Sequence, residues 1–113
     1  MALHIHKALV AGCALILCAS SDGLAAGDAA AGRQKALMCQ TCHGLDGKAK
    51  IPEAPNLAGQ SEIYLVKALR DYRSGARKND MMSLVAPTLK DRDIDDLAAY
   101  YSAIQVTIGA PPK

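Results

Sequence analysis

The run Cys39-Gln40-Thr41-Cys42-His43 constrains this chain more than any other stretch of it. Two thiols three positions apart, in one tight turn, can form thioethers to the two vinyl groups on one edge of a porphyrin. The next residue then brings an imidazole under the iron. Other uses of the same residues fit less well. A thioredoxin-like C-x-x-C needs a βαβ context, and no strand pattern surrounds this one. A structural zinc site needs four Cys or His ligands, but no Cys or His follows His43. A disulfide would leave His43 without a role. The motif reads as the attachment site of one covalent c-type haem through Cys39 and Cys42, with His43 as the proximal iron ligand.

The first 25 residues have the layout of a secretory leader. Lys7 with His4 and His6 makes a weakly positive start, Ala8 to Ala19 is an apolar run, and small residues surround Gly23-Leu24-Ala25-Ala26. The apolar run is shorter than the roughly 20 residues a membrane-spanning helix requires. Cleavage is expected near Ala25 or Ala26, leaving residues 26–113 as an exported domain in the periplasm. Val10-Ala11-Gly12-Cys13 also looks like a lipoprotein processing site, but a cut there would leave too short an apolar segment before it. Cys13 and Cys18 are therefore apolar members of the leader.

Charge excludes more than it suggests. The formal net charge is +2, and losing Lys7 with Asp22 leaves it unchanged. Arg70, Arg73, Arg77 and Lys78 form a local basic cluster. No aromatic platform accompanies it, so it reads first as a solvated helix end, next as a propionate or redox-partner contact, and last as a nucleic-acid surface. The chain has no Trp and no Phe, and its aromatics are Tyr64, Tyr72, Tyr100 and Tyr101. A core of Ala, Leu, Ile and Tyr is marginal at this size, and a large flat cofactor would fill its middle.

Helices separated by loops account for the whole domain. Asp28 can cap a first helix from Ala29 to about Met38, which leads into the haem turn. Gly44, Gly47, Pro52, Pro55 and Gly59 mark a long loop that wraps a cofactor. Ser61 is expected to cap a second helix that stops at Gly75, with Leu65, Leu69 and Tyr72 on one face and Ile63, Val66 and Ala68 beside them. A last helix starts near Asp91 or Asp93 and buries Ile94, Leu97, Tyr101 and Ile104. From about residue 106 the tail should be loose.

His43 is the only histidine after the leader, so thioethers are the strong candidates for a second axial ligand. Met38 adjoins the attached edge and cannot easily reach the far face. Met81 or Met82, in the loop between the second and last helices, remains. Methionines fill cores for their flexibility alone, and only the upstream motif promotes this pair to ligand candidates.

Cys39-Gln40-Thr41-Cys42-His43-Gly44-Leu45-Asp46-Gly47, then Pro55-Asn56-Leu57-Ala58-Gly59-Gln60, Tyr64-Leu65, Arg77 to Met82, and Leu89 to Ile94 ending at Ala98-Ala99-Tyr100, resemble the small class I cytochromes c. The cytochrome c4 and c553 types are the nearest. The resemblance implies an all-α fold of about three to five helices wrapped around one haem. In that family the axial methionine lies seven residues before the leucine opening the last helix's motif, which here is Leu89. This implies Met82 as distal ligand, with Met81 the runner-up. It also implies that the Pro55 carbonyl accepts from the non-ligating ring N–H of His43, and that Gly32 lets the first and last helices cross closely. Two departures stand out. Lys90 occupies the usual Ser or Thr cap position, and a single haem motif is present where cytochrome c4 carries two in tandem.

An iron held by His43 and a methionine has no open site for substrate, which points to electron transfer and away from catalysis. The expected function is a periplasmic carrier moving single electrons between a donor and an acceptor protein, as a monomer or weak dimer. It would bind no nucleic acid and make no stable membrane insertion. An electron-accepting subunit of a dehydrogenase complex is the near alternative. A haem sensor or peroxidase with a displaceable methionine is the distant one.

Overall fold

The structure is a computed structural model that describes residues 26–113; the expected leader lies outside the described residues. Five helices succeed one another: α1 (Ala29–Lys35), α2 (Gln40–His43), α3 (Glu62–Ser74), α4 (Met82–Val85) and α5 (Asp91–Ala103). Short 3₁₀ turns at Ala36–Met38 and Ala86–Thr88 join α1 to the haem motif and α4 to α5. No strand occurs among the described residues.

The first helix is shorter than its hydrophobic pattern suggests. It opens where the Asp28 carboxylate accepts from the N–H groups of Ala30 and Ala31, then tightens into the 3₁₀ turn at Ala36. That tightening turns the chain into Cys39 with Ala36 fully buried. α3 stops at Gly75 as expected, but Ser61 gives its first turn no side-chain hydrogen bond. Ile63 on that turn is 83% exposed, so it does not share the buried face that Leu65 leads. α5 begins at Asp91 despite the lysine before it. The Asp93 carboxylate accepts from the Lys90 backbone N–H at 2.9 Å, which is the half of a capping box that lysine can join, since an ammonium has no acceptor.

The buried core comprises Ala36, Leu65, Leu89, Ile94, Leu97, Ala98 and Tyr101, with Leu45, Leu57, Val66 and Leu69 packed against it. α1 and α5 cross at Gly32. A methyl group there would lie 1.9 Å from the Asp96 carbonyl oxygen and 2.8 Å from the Tyr100 Cβ. Both obstacles are rigid, so the crossing needs a residue with no side chain. Gly32→Ala is expected to force the helices apart and lower stability by about 1–3 kcal/mol, read as a lower denaturant midpoint.

Beside the crossing sits a buried carboxylate. Asp96 is 2% exposed. Its Oδ1 accepts from the Asp28 backbone N–H at 2.8 Å and lies 3.1 Å from Arg92 Nε. Its Oδ2 accepts from Lys35 Nζ at 2.7 Å, and the same ammonium reaches Asp93 Oδ1 at 2.8 Å. The N-terminus of α1, its last turn and α5 are thereby tied together through one buried oxygen pair.

Candidate haem site

α2 is a single turn, Gln40 to His43, and one glycine fixes the direction in which the chain leaves it. Gly44 has φ of +72°, and a Cβ there would fall 2.3 Å from Asp46 Oδ1 and 2.6 Å from the Lys48 carbonyl oxygen. Only glycine accommodates both the dihedral and the crowding. α5 holds the same turn from the other side. The Tyr101 hydroxyl donates to the Gly44 carbonyl at 3.1 Å, and the Tyr100 hydroxyl donates to the Leu45 carbonyl at 2.6 Å. These two tyrosines anchor the residues just after the histidine, a role that Tyr101's place in an apolar stripe did not reveal.

His43 is buried, and its Nδ1 lies 2.9 Å from the Pro55 carbonyl oxygen. A carbonyl can only accept, so Nδ1 carries a proton, and in the neutral ring Nε2 keeps its lone pair. That is the tautomer an imidazole needs in order to bind a metal through Nε2.

Cys39 and Cys42 are both half-buried. Burial pushes the Cys39 thiol up to about 11, and nearby Cys42 adds to this, while a hydrogen bond with Tyr101 works against it. In the chain without cofactor this sulfur is thus a protonated thiol at neutral pH, slow to oxidise. Burial also raises the Tyr101 phenol, with Cys39 as a second cause, so it stays a donor across the physiological range.

A cleft of about 720 Å³ opens beside the motif, lined by Cys39, Cys42, His43 and Pro55 together with Met81 and Met82. All six residues singled out in the sequence therefore meet in one space. Leu65, Leu69, Val85, Leu97 and Tyr101 supply apolar wall. The methionines do not hang in a free loop. Asn79 Oδ1 accepts from the backbone N–H of both Met81 and Met82 at 3.0 Å, and Met82 opens α4. Met82 is half-buried, while Met81 is 58% exposed. Met38 also borders the cleft but is 52% exposed.

This donor set fits a haem: paired thiols, an imidazole with Nε2 bare, soft thioethers, and apolar walls around a volume in the range of ligand pockets. The basic cluster is mostly absorbed by structure. Arg73 donates to the Leu89 carbonyl at 3.2 Å and to Asp91 at 2.6 Å, and Arg70 reaches Asp95 at 3.4 Å.

An all-α shell around a C-x-x-C-H turn defines a class I c-type cytochrome. The family model for cytochrome c matches residues 29–104, and the chain belongs to that family. It is 42% identical over 107 residues to a cytochrome c4 of Pseudomonas aeruginosa, across 93% of this chain and 52% of that protein. It is 49% identical over 81 residues to cytochrome c-554(548) of Halomonas halodenitrificans, across 69% of this chain and 98% of that protein. The crystal structure of reduced recombinant cytochrome c4 from Pseudomonas stutzeri superimposes with a TM-score of 0.68 at 41% identity, covering 74% of this chain and 49% of that one. The chain thus spans about half the length of the cytochromes c4 it matches. Its cofactor is covalent haem c with its iron.

Proposed function

We propose that this chain is a periplasmic carrier of single electrons, not an enzyme. Cys39 and Cys42 would hold the haem, and His43 and Met82 would ligate its iron. The observation that carries this reading is the His43–Pro55 hydrogen bond, which leaves Nε2 bare toward a cleft that Met82 also lines. Greater burial of Met82 favours it over Met81.

When bound, haem c supplies a one-electron iron couple. The chain's own residues keep that couple simple. Pro55 fixes the imidazole and raises its basicity. Asn79 pins the backbone of both methionines, so little of the chain moves when charge changes. Leucine and valine side chains keep water from the walls. No described helix is long and apolar enough to cross a membrane, and the partners are donor and acceptor proteins that dock briefly over a small interface.

Visible spectra of the exported protein in both redox states test the reading. Met82→Ala is expected to open the iron, so that the reduced protein binds carbon monoxide at neutral pH. Met81→Ala should leave it closed. Carbon monoxide binding by the unaltered protein would count against six coordination, and hence against a pure carrier.

A further inference from the structure

Two torsions aim the Pro55 carbonyl, and proline closes only one of them. Its ring fixes φ, while ψ still turns the planar peptide unit that joins Pro55 to Asn56, and the carbonyl turns with it. The 2.9 Å contact with His43 Nδ1 therefore depends on what holds residue 56 and those after it. Three hydrogen bonds do so. Asn56 Oδ1 accepts from the Ala49 backbone N–H at 2.8 Å, and the Gly47 carbonyl accepts from the N–H groups of Leu57 at 2.8 Å and Ala58 at 3.1 Å. Ala49 and Gly47 belong to the stretch that follows the histidine, and its far end is tied back to the motif, because the Lys50 N–H donates to the Cys42 carbonyl at 2.8 Å. The acceptor of the imidazole proton is thus built into a ring of hydrogen bonds that starts and ends at the C-x-x-C-H turn.

Asn56 supplies the one side chain among these three ties. An ordinary loop asparagine bonds to backbone about two residues further on in its own turn. This one reaches back seven residues, from one limb of the loop to the other. Its side chain is exposed and does not line the cleft, so it acts on the site only through its neighbour. Any turn of the Pro55 ψ swings Asn56 away from Ala49, and the side-chain bond resists that directly; the two Gly47 bonds act one and two residues further along. We propose that Asn56 is a positioning residue for the iron couple: its bond to Ala49 fixes the Pro55 carbonyl on the His43 ring N–H. The imidazole is thereby held at the basicity that sets the potential of a bound haem.

This inference rests on the haem-binding reading above, and the experiment separates the two. The holoprotein is measured as wild type, Asn56→Ala and Asn56→Asp. Spectroelectrochemistry at one neutral pH gives the midpoint potential, and NMR of the reduced protein gives the rate at which the His43 ring N–H exchanges with deuterium. A hydrogen bond donated from Nδ1 makes the imidazole more basic and favours oxidised iron, so loosening it raises the potential. Asn56→Ala is expected to raise the potential and to speed exchange of the ring proton about tenfold, the opening that follows loss of one hydrogen bond. Asn56→Asp keeps the acceptor, and its added negative charge also favours oxidised iron. Its potential should lie at or below that of wild type, with the ring proton still protected. The Asp28 amide, bonded to Asp96 at the α1–α5 crossing, should exchange at the wild-type rate in all three. Wild-type potential and exchange in Asn56→Ala overturn the proposal. So does an Asn56→Asp protein that behaves like Asn56→Ala, because the acceptor is then not what matters. Equal acceleration at His43 and Asp28 overturns it too, since that marks general loosening of the fold. A wild-type protein without a haem spectrum instead overturns the haem-binding reading itself.

Discussion

Replacing Cys39 and Cys42 together by serine is expected to give a colourless chain with little fixed structure. The reason lies in what the core contains. Its buried hydrophobic members are four alanines, three leucines, one isoleucine and one tyrosine. Around them lies a cleft of about 720 Å³ with Leu65, Leu69 and Leu97 in its walls. Without haem those walls meet water or collapse onto one another. Apolar surface left wet forfeits about 25 cal/mol per Å², so leaving roughly 250 Å² of such wall uncovered costs about 6 kcal/mol. That is comparable to the whole stability of a small domain. Far-UV circular dichroism and a urea titration of the exported double variant check it. A cooperative transition with native helix content would show that α1, α3 and α5 can pack alone. Cys42→Ser by itself keeps one thioether and is expected to retain colour with a lower unfolding temperature.

Much of the fold and of the site is legible in the sequence because the motif fixes chemistry at a definite spacing. Five residues announce the cofactor, and the cofactor then explains why a chain with no Trp or Phe still folds. Helix positions follow from Asp28, Gly75 and the 91–94 acidic start. The misjudged details share one cause. Sequence patterns register what a side chain is, not what stands opposite it in space. Ile63 has helical spacing with Leu65 but faces outward in the first turn of α3. Ser61 is a good cap by type, yet its hydroxyl makes no capping bond. Lys90 is a poor helix start by type, and Asp93 supplies the cap from three residues further on. Tyr101 has the pattern of a packing residue, while its hydroxyl and that of Tyr100 hold two carbonyls nearly 60 residues away in sequence.

Asp96 draws no attention in the sequence, yet its loss should be costly. An aspartate in the i, i+4 company of Arg92 would ordinarily be set down as a surface pair worth a few tenths of a kcal/mol. Here it is buried and collects the Asp28 N–H, the Lys35 ammonium and Arg92. Asp96→Ala leaves the Asp28 N–H without its acceptor and the α1–α5 seam without its tie. The expected loss is on the order of 3 kcal/mol, or more than about 10 °C in unfolding temperature. Acidity should reproduce part of that loss. The Lys35 ammonium, and then the Asp28 N–H, hold the Asp96 carboxyl below the ordinary aspartate value of 3.8; Lys35 and then the Lys90 N–H do the same for Asp93. A carboxyl whose folded-state pKa is depressed binds its proton more tightly in the unfolded chain. Its stabilisation is therefore present above pH 3.8 and is lost as pH falls through the lower, folded-state value. Wild type and Asp96→Ala should accordingly differ most from about pH 5 upward and converge in strong acid. Urea midpoints of both holoproteins across that range measure it. A difference that stays constant down to the lowest pH would mean that packing, not charge, holds the two helices together at this point.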